Sequence, residues 1–287
     1  MALEILVQEK LDGASVSLEY EDGCLVRMAT RGDGIVGDDV TPNAAFMPSI
    51  PKKIPITEGR VFVRGEVVIR LVDFEKIADR FENPRNTAAA TIRARGVEDV
   101  LGLTTFVGFD LHCLERGERL KSEWDIWLRI GELGFQRSEI SCLVSSKEQL
   151  KQIFEQYDRA EAGQSSFSRK VLPWQTDGLV GKVNDLSLQN KFQTKNNRPG
   201  HSIAIKPSPT AVTTTVTGIT WQMGLSGRYT AVCHVTPTPM DGVTLRNVNL
   251  HNLTFLSKLI SQGFSIGSRV RVIRAGDVIP QIVGVVS

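Results

Sequence analysis

Gln8-Glu9-Lys10-Leu11-Asp12-Gly13, a few residues in from Met1, is the stretch on which the reading of this chain turns. The apolar run before it (Leu3, Ile5, Leu6, Val7) reads as a strand. Asp12-Gly13 is a turn signal, and apolar alternation resumes through Val16, Leu18 and Tyr20, so the segment reads as a hairpin with a lysine at a strand end. There an ε-amine can face a ligand. An amine is a nucleophile only when deprotonated, which desolvation and neighbouring cations favour. Taken alone, Lys-x-Asp-Gly is most often a surface lysine in a hairpin, so the remainder of the chain has to decide.

Two further lysines sit in the same kind of place. Thr176-Asp177-Gly178-Leu179-Val180-Gly181-Lys182-Val183-Asn184 is a turn feeding a strand that carries Lys182. Ser202-Ile203-Ala204-Ile205-Lys206-Pro207 is an apolar strand ending in Lys206 and stopped by proline. Lysine is depleted in buried strands. With Lys10, these two place three amines around one anion. Between them lie Arg31-Gly32-Asp33-Gly34, a glycine-rich turn with an arginine able to reach phosphate or ribose, and the strand Arg60–Ile69, where Glu66 is an acid among apolar neighbours. A buried carboxylate needs a partner, which a sugar hydroxyl or a cationic side chain supplies.

The other segments read as packing elements. Asp73–Phe81 has helical periodicity, and an alanine-rich helix after Asn83-Pro84 puts Arg85 and Arg93 near one face. Phe106–Leu111 is a strand, and Ser122–Leu133 is an amphipathic helix. A second helix starts with a capping-box pattern at Ser145 and Glu148. Past Pro207-Ser208-Pro209 the texture turns β-branched (Thr213–Trp221, Val270–Ile273, Val278–Val286), interrupted by one helix over Leu253–Ile260. That pattern predicts a small barrel of the oligonucleotide-binding type and domains at 1–208 and 209–287.

Composition narrows the field. The chain has 287 residues, 41% hydrophobic and 23% charged, which suits two globular domains. No apolar run approaches the ~20 residues of a membrane helix, and no secretory layout opens the chain. An intracellular location follows, a bacterial cytoplasm or an infected host cell. Cys24, Cys113, Cys142 and Cys233 are scattered, which points to reduced, mostly buried thiols, and neither they nor the four histidines show metal-ligand spacing. The net charge of +2 divides into −2 for residues 1–209 and +4 from Thr210 onward, a basic module suited to a polyanion.

Taken in order, Lys10-Leu11-Asp12-Gly13, Ala29-Thr30-Arg31-Gly32-Asp33-Gly34, Val63-Arg64-Gly65-Glu66, Asn83-Pro84-Arg85-Asn86, Asp177 to Asn184 and Ile203-Ala204-Ile205-Lys206 resemble the motifs of bacterial-type NAD-dependent DNA ligases, within the covalent nucleotidyltransferases. Leu250-His251-Asn252 and Arg274 to Gln281 resemble the signatures of that family's OB domain. The resemblance implies an α+β, ATP-grasp-like nucleotidyltransferase adenylation domain of antiparallel sheets with flanking helices, followed by a small β-barrel of the OB fold. It implies Lys10 as the nucleophile that becomes lysyl-AMP, with Lys182 and Lys206 on the α-phosphate. Arg31 would contact ribose or phosphate, Glu66 the ribose hydroxyl, and Asp177 would support the pocket or a metal. Arg85, Arg93 and Arg169 correspond to family arginines linked to the nick phosphate or leaving group. The donor of AMP would be NAD⁺ or ATP with Mg²⁺, and the substrate nicked double-stranded DNA, sealed through enzyme adenylation, AMP transfer to a 5′-phosphate and attack by a 3′-hydroxyl.

The chain also departs from the family pattern. Gln8 stands where the family has a Glu that accepts from the adenine amine, and Glu9 stands where an apolar residue or proline is usual, so both count as cofactor-binding positions. Gln222-Met223-Gly224-Leu225-Ser226-Gly227 lacks the arginine of the family signature, with Arg228 nearby, and Gly200-His201 replace an arginine and tryptophan. The family's NMN-recognition domain would precede Lys10, so NAD⁺ use calls for a second subunit or another solution, and ATP is the alternative donor. Two other readings stand beside this one: an RNA-directed ligase or capping-type enzyme, and a non-catalytic ligase-like subunit that binds nucleic acid.

Overall fold

The computed structural model describes residues 3–113, 120–159, 164–194, 199–207, 211–223, 227, 229–240, 243–275 and 279–286. Arg228, the Gly224-Leu225-Ser226 stretch, the Ser208–Thr210 junction and Gly276-Asp277-Val278 lie outside the described residues. The chain divides into two compact units, Met1–Pro207 and Ser208–Ser287.

The strands of the first unit are β1 (Ile5–Leu11), β2 (Ala14–Glu21), β3 (Cys24–Thr30), β4 (Arg60–Ile69), β5 (Thr104–Cys113), β6 (Gln136–Arg137), β7 (Ser141–Val144), β8 (Thr176–Val183) and β9 (Ser202–Ile205). They form two sheets, ordered β3-β2-β4-β5-β6 and β7-β1-β8-β9, antiparallel except for the β5–β6 pair. The hairpin expected around Asp12-Gly13 is not there, because β1 and β2 belong to different sheets. At Asp12-Gly13 the chain crosses from one to the other, with Asp12 N–H donating to the Gln175 carbonyl. A Cβ at Gly13 would lie 2.2 Å from the Val67 carbonyl oxygen, so only glycine allows this crossing. The real hairpin is β2–β3, closed by Asp22-Gly23 with both φ positive, 48° and 77°.

Alternation buries one face of β2 and β4 (Val16, Leu18, Tyr20; Val61, Val63, Val67) in a core with Phe106, Ile126, Ile130 and Phe135. A second cluster (Val7, Ile140, Val144, Tyr157, Leu172, Leu179) fills the other sheet. Helix α1 (Pro84–Thr91) starts on Asn83, whose side chain accepts from Asn86 N–H. It ends before Arg93, so Arg85 and Arg93 do not share a helix face. Helix α2 (Glu123–Glu132) carries a capping box of Ser122 and Asp125 that the sequence reading missed. Helix α3 (Lys147–Arg159) is capped by Ser146, which accepts from Gln149 N–H, one residue later than the Ser145 expected. The helix anticipated over Asp73–Phe81 shrinks to Leu71–Phe74 and a 3₁₀ turn at Glu75–Ile77. Of the three cysteines whose side chains are described, only Cys233 is buried, and Cys24 is exposed.

The second unit holds β10 (Ala211–Met223), β11 (Tyr229–Met240), β12 (Val243–Asn249), helix α4 (Leu253–Ser261), β13 (Arg269–Ala275) and β14 (Ile279–Val286). Among the described residues the expected barrel does not close: the three sheets are open, and this one runs β12-β11-β10-β13-β14. Register shifts in β10–β11, β11–β12 and β13–β14 bend it, yet its edges, β12 and β14, exchange no hydrogen-bonded ladder among the described residues. Pro280 on edge strand β14 has no N–H to give to such a ladder. Its core is apolar, with Val216, Cys233, Leu245, Val248, Val270, Val272 and Ile282 joined by Leu256 and Leu259 of α4.

Candidate active site

Between the two sheets of the first unit lies a cleft of about 1450 Å³, lined by Gln8 to Gly13 and by side chains from β4, β5, α2 and β8. The β1–β8 register sets its chemistry. Glu9 pairs with Leu179 but Leu11 with Thr176, so β8 carries one extra residue opposite Lys10. β9 continues on the other side of β8, with Leu179 opposite Ile205. Lys10 and Lys206 therefore flank the Asp177-Gly178 irregularity from two sides. A Cβ at Gly178 (φ 125°) would meet the Ile205 carbonyl oxygen at 2.4 Å, so glycine is needed to bring β9 this close.

Asp177 Oδ2 accepts from Lys10 Nζ at 2.5 Å and from Lys206 Nζ at 2.7 Å, with the Asp177 side chain only 7% exposed. From behind, Tyr157 holds the turn: its hydroxyl accepts from Gly178 N–H at 3.1 Å and bonds Thr176 Oγ1 at 2.7 Å. Tyr157 escaped the sequence reading because it looks like any apolar-face aromatic of α3. Lys182 lies on the cleft wall but away from that carboxylate, donating to the Phe109 carbonyl at 2.7 Å and to Glu123 Oε2 at 3.1 Å. Two amines thus share one carboxylate, and the third is held separately.

Glu66 and Arg31 also line the cleft. Burial pushes the Glu66 carboxyl up to about 7, while nearby Lys10 pulls the other way. Arg85 lies 3.1 Å from Asp12 Oδ1, within the cleft lining. Burial raises Asp12, and Arg85 opposes that rise. Arg93 pairs with Asp38 at 3.1 Å and Arg169 with Asp158 at 3.3 Å, and neither lines the cleft.

Gln8 and Glu9 diverge. Gln8 donates from Nε2 to Ser138 Oγ at 2.7 Å and to Ser141 Oγ at 3.2 Å, which leaves its carbonyl as the side chain's acceptor. Glu9, 4% exposed, spends both oxygens on backbone N–H groups, Glu139 at 2.7 Å and Ile140 at 2.8 Å. Burial pushes it up to about 7 against the pull of those donors. It ties β1 to the segment entering β7, a bond between residues 130 apart that no local pattern announces.

A cleft between two largely antiparallel sheets, with Lys10 and Lys206 on the carboxylate of Asp177 beside it, fits the class of covalent nucleotidyltransferases. Residues 1–210 match the family model for the NAD-dependent DNA ligase adenylation domain, and residues 213–287 that for the NAD-dependent DNA ligase OB-fold domain. The DNA ligase of Wolbachia pipientis wMel is 35% identical over 285 residues, covering 99% of this chain and 41% of that protein. The DNA ligase of Ruegeria sp. (strain TM1040) is 35% identical over 300 residues, covering 99% and 39%. A solved structure described as "DNA binding with a minimal scaffold: Structure-function analysis of Lig E DNA ligases" shares the fold with a TM-score of 0.56 at 15% identity, covering 100% of this chain and 94% of that one. The chain belongs to the NAD-dependent DNA ligase family, and it spans about two-fifths of the length of the curated relatives it matches. Among the described residues no helix is long and apolar enough to cross a membrane.

Proposed function

We propose that this chain is the nucleotidyl-transferring core of a polynucleotide ligase, with Lys10 as the residue that takes up AMP. The observation that carries the reading is the pair of lysines, Lys10 and Lys206, on the single carboxylate of Asp177, beside a cleft shared with Glu66, Arg31 and Lys182. Lys10 Nζ attacks the α-phosphorus of an adenylate donor, the bond from phosphorus to the leaving group breaks, and a phosphoramidate forms. Asp177 Oδ2, 2.5 Å from the attacking nitrogen, is placed to accept the proton that nitrogen loses. Lys206 and Lys182 offset charge on the phosphoryl oxygens. Glu66, raised by burial, meets a ribose hydroxyl, and Gln8 accepts from the adenine amine through its carbonyl.

Among the described residues no three His, Cys, Asp or Glu side chains are arranged to hold a metal ion. Mg²⁺ enters this reading with the nucleotide phosphates, as part of the substrate. The AMP then passes to a 5′-phosphate at a nick in duplex DNA, and the adjacent 3′-hydroxyl displaces it. Incubation with labelled NAD⁺ and, separately, labelled ATP tests the first step and names the donor. An acid-stable AMP adduct is expected on the protein and absent from Lys10→Ala; no adduct with either donor overturns the reading. Comparing nicked DNA with RNA-containing duplexes then decides the strand.

A further inference from the structure

Glu123 belongs to none of the stretches that mark the family resemblance, yet it is among the most buried acids described, with a side chain 7% exposed. It is the first residue of α2, and that helix end is pinned to the end of β8 by backbone. Glu123 N–H donates to the Asn184 carbonyl at 2.8 Å, and Trp124 N–H to Asn184 Oδ1 at 3.0 Å. Its carboxylate is then held on both oxygens. Gln189 Nε2 donates to Oε1 at 2.7 Å and also to the Val183 carbonyl at 2.9 Å, while Lys182 Nζ donates to Oε2 at 3.1 Å. The Lys182 side chain is itself only 13% exposed.

We infer that Glu123 is a positioning residue for Lys182, a tether that keeps the ammonium aimed while a phosphate arrives. A lysine ammonium has three donors. Glu123 and the Phe109 carbonyl take two, and the third is the one for an anionic oxygen in the cleft. A long flexible stem otherwise surrenders rotamer freedom each time it engages a ligand, and a buried ammonium without a partner is strongly disfavoured. The tether removes both costs before substrate binds. Lys10 and Lys206 instead meet on one carboxylate, that of Asp177.

This inference rests on the proposed role of Lys182, and a double-mutant cycle on the full chain separates the two. The readout is the rate of lysyl-adenylate formation for wild type, Glu123→Ala, Lys182→Ala and the double variant. Glu123→Ala should lower the maximal rate by about 100-fold, as misplacement of a reacting group does, with little change in the donor concentration at half-maximal rate. In the Lys182→Ala background the same change should cost less than about twofold, because the group it serves is gone. Glu123→Gln, which keeps the shape and loses the charge, should fall between, and it replaces the alanine variant in the cycle should that one fail to fold. Equal losses in both backgrounds, or none in either, overturn the tether. A second readout needs no turnover: acylation of Lys182 by acetic anhydride, read by mass spectrometry, should rise several-fold in Glu123→Gln. An enzyme that forms no adenylate with either donor removes the proposed function, and unchanged Lys182 labelling in that case still decides against the tether.

Discussion

The two units bury different things. The second packs an apolar core of Val, Leu and Ile with Cys233, and Thr214 is its one buried polar residue among those described. The first also has an apolar core, but around its cleft it buries Gln8, Glu9, Glu123 and Asn184 and nearly buries Asp177. Apolar burial stabilises through area and shape, without regard to direction. Buried charge stabilises nothing unless every partner is placed, so it belongs where positions of specific atoms matter. The difference fits the chemistry proposed for the first unit, while the described interior of the second is held by apolar packing.

The hardest test of that contrast is Lys10→Ala, which should abolish adenylate formation, read by mass, and leave hydrogen-exchange protection of the second unit's strands unchanged. Next, Leu245→Ala in the apolar core should cost that unit about 2–5 kcal/mol, read by hydrogen exchange, and the loss should be the same across pH. Glu9→Gln preserves volume yet sets an amide NH₂ against one of the two backbone N–H groups now bonded. It should cost the first unit about 1–3 kcal/mol, read by hydrogen exchange of its strands. A free substitution at Glu9 would erase the distinction between the units.

The smallest effect depends on pH. Glu66 holds its proton in the folded state up to about 7, against 4.5 in the free side chain. Between those values the folded protein binds more protons than the unfolded chain, so stability falls as pH rises through that window. Glu66→Gln removes the Glu66 share of this dependence and leaves that of Glu9, which is raised to about 7 as well. Relative to wild type it should gain about 1–2 kcal/mol as pH is raised from 4.5 to 7, after allowance for solvent screening, and be unchanged below 4.5. A constant offset at all pH values would mean that burial does not govern Glu66.

Much of this was open to inspection in the chain. The strands carrying Lys10, Glu66, Lys182 and Lys206 emerge where alternation and turn residues put them, because period-2 patterning is a local property. The Asp12-Gly13 turn misled, since a turn signal says that the chain reverses or crosses without saying which strand it meets next. The barrel misled for a related reason: closure depends on whether two edge strands meet, and propensity carries no information about that. Arg93, expected on one helix face with Arg85, falls beyond the end of α1, because the helix stops at Thr91.

By itself, the order of residues determined which amines, acids and glycines this protein has at strand ends, and hence the family to which it belongs. Only the tertiary structure decided that Lys10 and Lys206 share Asp177 while Lys182 turns to Glu123, and that Glu9 braces a strand. Bonds such as Lys10–Asp177, 167 positions apart, Glu9–Glu139, 130 apart, and Lys182–Glu123, 59 apart, form only once sheets have registered against each other, and register across sheets is a property of the packed whole.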